Sequence, residues 1–85
     1  MKIDQILLFK SKEVKDYYFA VIWHNYNTEA YLLEFKGNNS HIDSNHLCSS
    51  WKYGDDYRGL GDEIYISSLP KDALNFFFTK ISEMK

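Results

Sequence analysis

Residues 17–23, Tyr-Tyr-Phe-Ala-Val-Ile-Trp, are uncharged throughout. In an extended chain successive side chains point to opposite faces. Tyr17, Phe19, Val21 and Trp23 then share one face, and Tyr18, Ala20, Ile22 and His24 the other. A strand with no charge on either face is one that is covered on both sides, or that lends one side to an interface. This segment therefore sets the frame into which the rest of the chain has to fit.

The flanking segments supply neighbours for it. Residues 3–9 contain the continuous apolar run Ile6, Leu7, Leu8 and Phe9, which suits a strand buried on both faces or placed centrally. A helix is the competing reading. It would have to continue through Ser11, Lys12 and Glu13, where the apolar period fades. Residues 11–16 then form a polar hairpin connection. Residues 25–28, Asn-Tyr-Asn-Thr, make the next turn, because Asn tolerates left-handed backbone. Residues 29–36 return as a strand, with Tyr31, Leu33 and Phe35 on one face and Ala30, Leu32, Glu34 and Lys36 on the other. Gly37, Asn38, Asn39 and Ser40 end it. A weaker strand pattern covers residues 45–53, and a short one residues 63–67 with Ile64 and Ile66 inward and Tyr65 outward.

The C-terminal segment has helical period. Ser67 or Ser68 can cap it, Pro70 suits its first turn, and Asp72 complements the positive end of the helix dipole. Ala73, Leu74, Phe77, Phe78, Ile81 and Met84 fall on one stripe, leaving Phe76 off it, to be covered by another strand or loop or to belong to a partner contact. The expected fold is α+β: a four- or five-stranded antiparallel meander with one C-terminal helix on one face. With 85 residues, the whole of 1–85 is expected to be a single domain.

Composition narrows the function classes. Aromatics are 18% of the chain, more than a thin core easily hides, and surface Tyr and Trp favour interfaces. Net charge is −2, and Arg58 is the single arginine, so the clustered basic footprint of nucleic-acid binding is missing. Cys48 is alone, so no internal disulfide can form. Residues 1–10 lack the features of an export signal, and no stretch reaches about 20 apolar residues, as a membrane span requires. A cytoplasmic location follows as the expectation.

Two clusters could carry chemistry. His41, Asp43, His46 and Cys48 are all possible zinc ligands, but the cysteine pair of known zinc spacings is absent. The denser cluster is residues 51–63. It contains Trp51, Tyr53, Asp55, Asp56, Tyr57, Arg58, Asp62 and Glu63. Asp55 and Asp56 are adjacent, which does not match the alternating ligands of a calcium loop. A carboxylate pair for acid–base work needs a deep cleft, which so small a sheet-plus-helix seldom offers. A solvated turn between strands is the bland alternative. The functional expectation is an acidic-aromatic surface for another protein, extended by Tyr65 and Phe76. No cofactor or metal is expected.

In general character the chain is similar to small bacterial immunity proteins, by composition alone and without a shared motif. It is expected to be a non-catalytic inhibitor of immunity, antitoxin or phage-inhibitor type, whose partner presents a basic surface, as a nuclease or toxin does. Two alternatives stand beside it. One is a single-strand nucleic-acid module that stacks bases on Tyr17, Tyr31 or Trp51. The other is a homo-oligomeric accessory protein, such as a homodimer, paired through an edge strand or Phe76.

Overall fold

The computed structural model describes residues 2–37, 44–47 and 57–84. Five strands lie in these residues: β1 (Ile3–Lys10), β2 (Tyr17–His24), β3 (Glu29–Lys36), β4 (Ser44–Leu47) and β5 (Asp62–Ile64). They form one antiparallel sheet in the order β4-β3-β2-β1-β5. The first four strands make a meander. The fifth returns to the far edge and pairs with the second half of β1, Leu8 opposite Ile64 and Lys10 opposite Asp62. A single helix, α1 (Lys71–Met84), completes the α+β architecture.

The strand assignments for 3–9, 17–23 and 29–36 hold. β2 is the central strand and its apolar faces are both occupied. On the helix side Tyr18, Ala20 and Ile22 join Leu8, Leu33 and Phe35 beneath Ala73, Phe77 and Ile81. On the opposite side Val21 and Trp23 join Phe9 and Ala30, with Tyr57 and Leu60 packed against them. The apolar run of β1 has the same cause, since Ile6 and Leu8 serve one cluster and Leu7 and Phe9 the other. Burying both faces removes apolar area from water twice over for one strand's worth of backbone. This is how so short a chain obtains a core.

The connections carry their own polar satisfaction. In the β1–β2 connection the Ser11 hydroxyl oxygen accepts the backbone N–H groups of Glu13 and Val14 at 3.2 and 3.1 Å. Ser11 N–H donates to the Tyr17 carbonyl at 2.9 Å and closes the hairpin. The register between β1 and β2 shifts between Ile3 and Gln5, so Asp4 sits in a bulge. Its carboxylate accepts the Asn27 N–H of the β2–β3 turn at 3.0 Å.

Three local expectations need correction. The segment after β5 is not strand to residue 67. The strand stops at Ile64, and Ile66–Ser68 form a 3₁₀ turn in which Ile66 is exposed rather than inward. The chain must turn there to carry Leu69 into the helix-side core. Ser67 and Ser68 lie in that turn, and the first helical bond runs from Leu74 N–H to the Pro70 carbonyl, so Pro70 stands where a serine cap was expected. Finally, Phe76 and Phe78 exchange roles. With 100° per residue they lie symmetrically either side of buried Phe77. The sheet lies on the Phe76 side, whose ring packs 5.8 Å from Phe35, while Phe78 is 51% exposed.

Candidate functional site

The structure splits the expected acidic-aromatic surface. Trp51, Tyr53, Asp55 and Asp56 lie outside the described residues, as do His41, Asp43 and Cys48. Tyr57 is half-buried rather than presented. Its ring meets Phe9 edge-on at 5.6 Å and helps close the second face of the sheet. The backbone of Arg58 enters a 3₁₀ turn, Arg58–Leu60. Phe76 is also half-buried, against Phe35 and under the Lys80 ammonium 5.6 Å from its centroid. Both aromatics therefore belong to packing: Tyr57 is not the exposed contact expected of it, and Phe76 is covered by a strand rather than left for a partner.

Asp62, Glu63 and Tyr65 are presented together. Asp62 and Glu63 are exposed on the edge strand β5, and Tyr65 follows at 83% exposure. Asp62 is paired with Lys12 at 3.4 Å, both side chains being well solvated, so the pair contributes little to stability. The exposed Ile66 adjoins Tyr65. Beside them a shallow, mainly apolar cleft of about 290 Å³ is lined among the described residues by Ile6, Leu7, Leu8, Glu63, Ile64, Tyr65, Ile66 and Phe77. An aromatic ring, two carboxylates and an apolar cleft thus share one edge of the sheet.

A second concavity lies between the β1–β2 connection and residues 59–61. Its volume is about 460 Å³, and Val14, Tyr17, Phe19 and Leu60 line it. The rings of Tyr17 and Phe19 are 5.1 Å apart. The Tyr17 hydroxyl donates to Glu34 Oε1 at 2.7 Å across β2 and β3. Burial, that hydrogen bond and the Glu34 charge push the phenol up to about 12. Such a phenol stays protonated at neutral pH and acts as a donor, not as a base. In an absorbance titration Tyr17 is expected to ionise above the ordinary tyrosine range, with Glu34→Gln lowering it. Because the folded value exceeds the unfolded one, its stabilising contribution is complete below pH about 10 and is lost as pH rises towards about 12. Ionisation of Tyr17 at an ordinary tyrosine pH would contradict the Glu34 bond.

Among the described residues no three His, Cys, Asp or Glu side chains come together as a metal site. None of the described helices is long and apolar enough to cross a membrane. Sequence reasoning missed the Tyr17–Glu34 bond, although both residues were placed on their strands. The signal was the register itself: Phe19 pairs with Glu34 and Tyr17 with Lys36, so Tyr17 and Glu34 are diagonal neighbours. No family model, curated protein or solved structure matches the chain.

Proposed function

We propose that the chain is a non-catalytic protein-binding inhibitor, of immunity, antitoxin or phage-inhibitor type, that docks through the β5 edge. The observation that carries this reading is Tyr65, 83% exposed two positions after Glu63 and three after Asp62, whose carboxylates are exposed too. A tyrosine left in water contributes little to its own fold, but it brings large contact area to a partner at small entropic cost. Flanking carboxylates speed encounter with a basic surface and penalise acidic ones. A nuclease or toxin that holds phosphate with Lys and Arg is the partner chemistry that fits.

The test places a photo-crosslinking side chain at position 65 and, as a control, at Ser82 on the exposed side of α1. The expected result is one protein captured from position 65 and not from 82. The purified partner should lose its activity with a stoichiometric amount of this chain and keep it with a Tyr65→Ala, Glu63→Lys variant. Equal capture from both positions, or a partner whose activity is untouched, overturns the reading.

A further inference from the structure

We propose that the β2–β3 end of the sheet binds a singly charged carboxylate attached to a flat apolar group. This site is separate from the β5 edge. Three independent observations meet there.

The first is backbone strain around an unused side chain. Asn25, Tyr26 and Asn27 have φ of 55°, 57° and 59° in succession. Asn accepts this left-handed region readily, whereas a bulky residue does so at a cost. The Tyr26 ring is 85% exposed and makes no ring contact among the described residues, so none of those residues rewards it. The turn is held by its neighbours. The Asn25 amide donates to Glu29 Oε1 at 2.9 Å, and the Thr28 hydroxyl donates to the Asn25 carbonyl at 2.6 Å. Strain held in this way, around a solvent-exposed aromatic, points to a role outside folding.

The second is a cleft of about 410 Å³ beside that ring, lined among the described residues by Lys2, Asp4, His24, Asn25 and Tyr26. The third is His24 in its wall. The imidazole is only 8% exposed and stacks on Tyr31 at 5.0 Å, yet its Nε2 has no hydrogen-bond partner among the described residues. A buried polar atom without a partner is uncommon and unfavourable.

The polar groups lining the cleft select the ligand. The Asn25 amide is engaged by Glu29, and Asp4 is engaged by the Asn27 N–H. What remains is the Lys2 ammonium, with no ion pair among the described residues, and the His24 Nε2, which donates when it carries the ring proton. Both residues line the one cleft, and two such donors together suit a carboxylate. The Asp4 charge in the same cleft repels an anion of higher charge, which sets a carboxylate ahead of phosphate. Tyr26 supplies a flat wall for an apolar substituent. Asn27 Oδ1 is also without a partner, but Asn27 does not line this cleft.

The test is an NMR titration of the full chain, at fixed ionic strength, with benzoate, acetate and inorganic phosphate. Benzoate should give saturable shifts at Lys2 and residues 24–27, with a Kd of about 1 mM. Acetate should bind about fivefold more weakly, and phosphate no better than acetate. Tyr26→Gly should fold, because it relieves the left-handed strain, and should remove the preference for benzoate over acetate. His24→Phe keeps a ring against Tyr31 and should abolish binding of both. If that variant does not fold, the Tyr26→Gly result and the order of the three anions still decide. Absence of saturable shifts at these residues, phosphate binding ahead of benzoate, or an unchanged benzoate preference in Tyr26→Gly overturns the proposal.

Discussion

A Phe77→Ala chain should be about 4 kcal/mol less stable than the parent, within the range for removing a buried phenylalanine ring. Phe77 is 2% exposed and lies at the centre of the helix stripe, between Ala73 and Ile81. Its ring stacks 6.0 Å from Phe35, which is itself fully buried in β3. No other residue of α1 of comparable size reaches as deeply, since Phe76 lies to one side and Phe78 faces solvent. A domain of this kind has about 5–15 kcal/mol in total, so the loss takes a large part of the margin. Urea melts followed by circular dichroism should show the midpoint falling, and the thermal midpoint should drop by about 20 °C. Phe77→Leu fills much of the space and should lose far less. Equal behaviour of the two variants would mean that the helix is not anchored through this ring.

Gly61→Ala tests a different kind of constraint, in the backbone. Gly61 has φ of +118°, a conformation that L side chains rarely adopt. An added Cβ would collide with the Lys10 carbonyl oxygen and stand 2.8 Å from its carbon, at the place where β5 joins β1. Backbone cannot yield there without parting the two strands. The expected loss is about 3 kcal/mol. Amide exchange should accelerate first around Leu8 to Lys10 and Asp62 to Ile64, which pair across this joint. Gly59→Ala is the matched control, because its Cβ would meet nothing within 4 Å. The pair of variants should differ by several-fold more than their error, and similar stabilities would place the strain elsewhere.

These two variants also mark how far the sequence could be read. The bounds of β2 and β3 were legible because a period of two with uncharged faces leaves few alternatives, and because Asn25–Thr28 and Gly37 punctuate their ends. Phe77 was legible as a core residue from its spacing to Ala73 and Ile81. The roles of Phe76 and Phe78 were not, because a stripe that counts Leu74 and Met84 leans towards Phe78, whereas the buried residues Ala73, Phe77 and Ile81 leave the two rings at equal angles. Only the position of β3 beneath the helix breaks the tie. Gly61 carried no local sign of its conformation, since the requirement comes from Lys10, fifty-one positions earlier. The same holds for Tyr57, which looked like a surface aromatic within its own loop and is drawn inward by Phe9. At the candidate edge, Tyr65 was placed outward correctly, but Ile66 beside it was not, because the 3₁₀ turn after β5 breaks the alternation of the strand.

The bulge at Asp4 has a bearing on how the chain behaves in a crowd of its own copies. Among the described residues β5 covers only Leu8 to Lys10 of β1, so the first half of that strand borders no further strand. It includes Ile6 and Leu7 of the apolar run Ile6 to Phe9, the composition from which sheets grow end over end into aggregates. A second molecule laid antiparallel about Asp4 would set two carboxylates against each other and would meet a kinked strand in place of a flat one. The carboxylate that ties down the β2–β3 turn therefore also guards the sheet against self-templating, and β1 can carry its apolar run beside a border that no strand among the described residues covers.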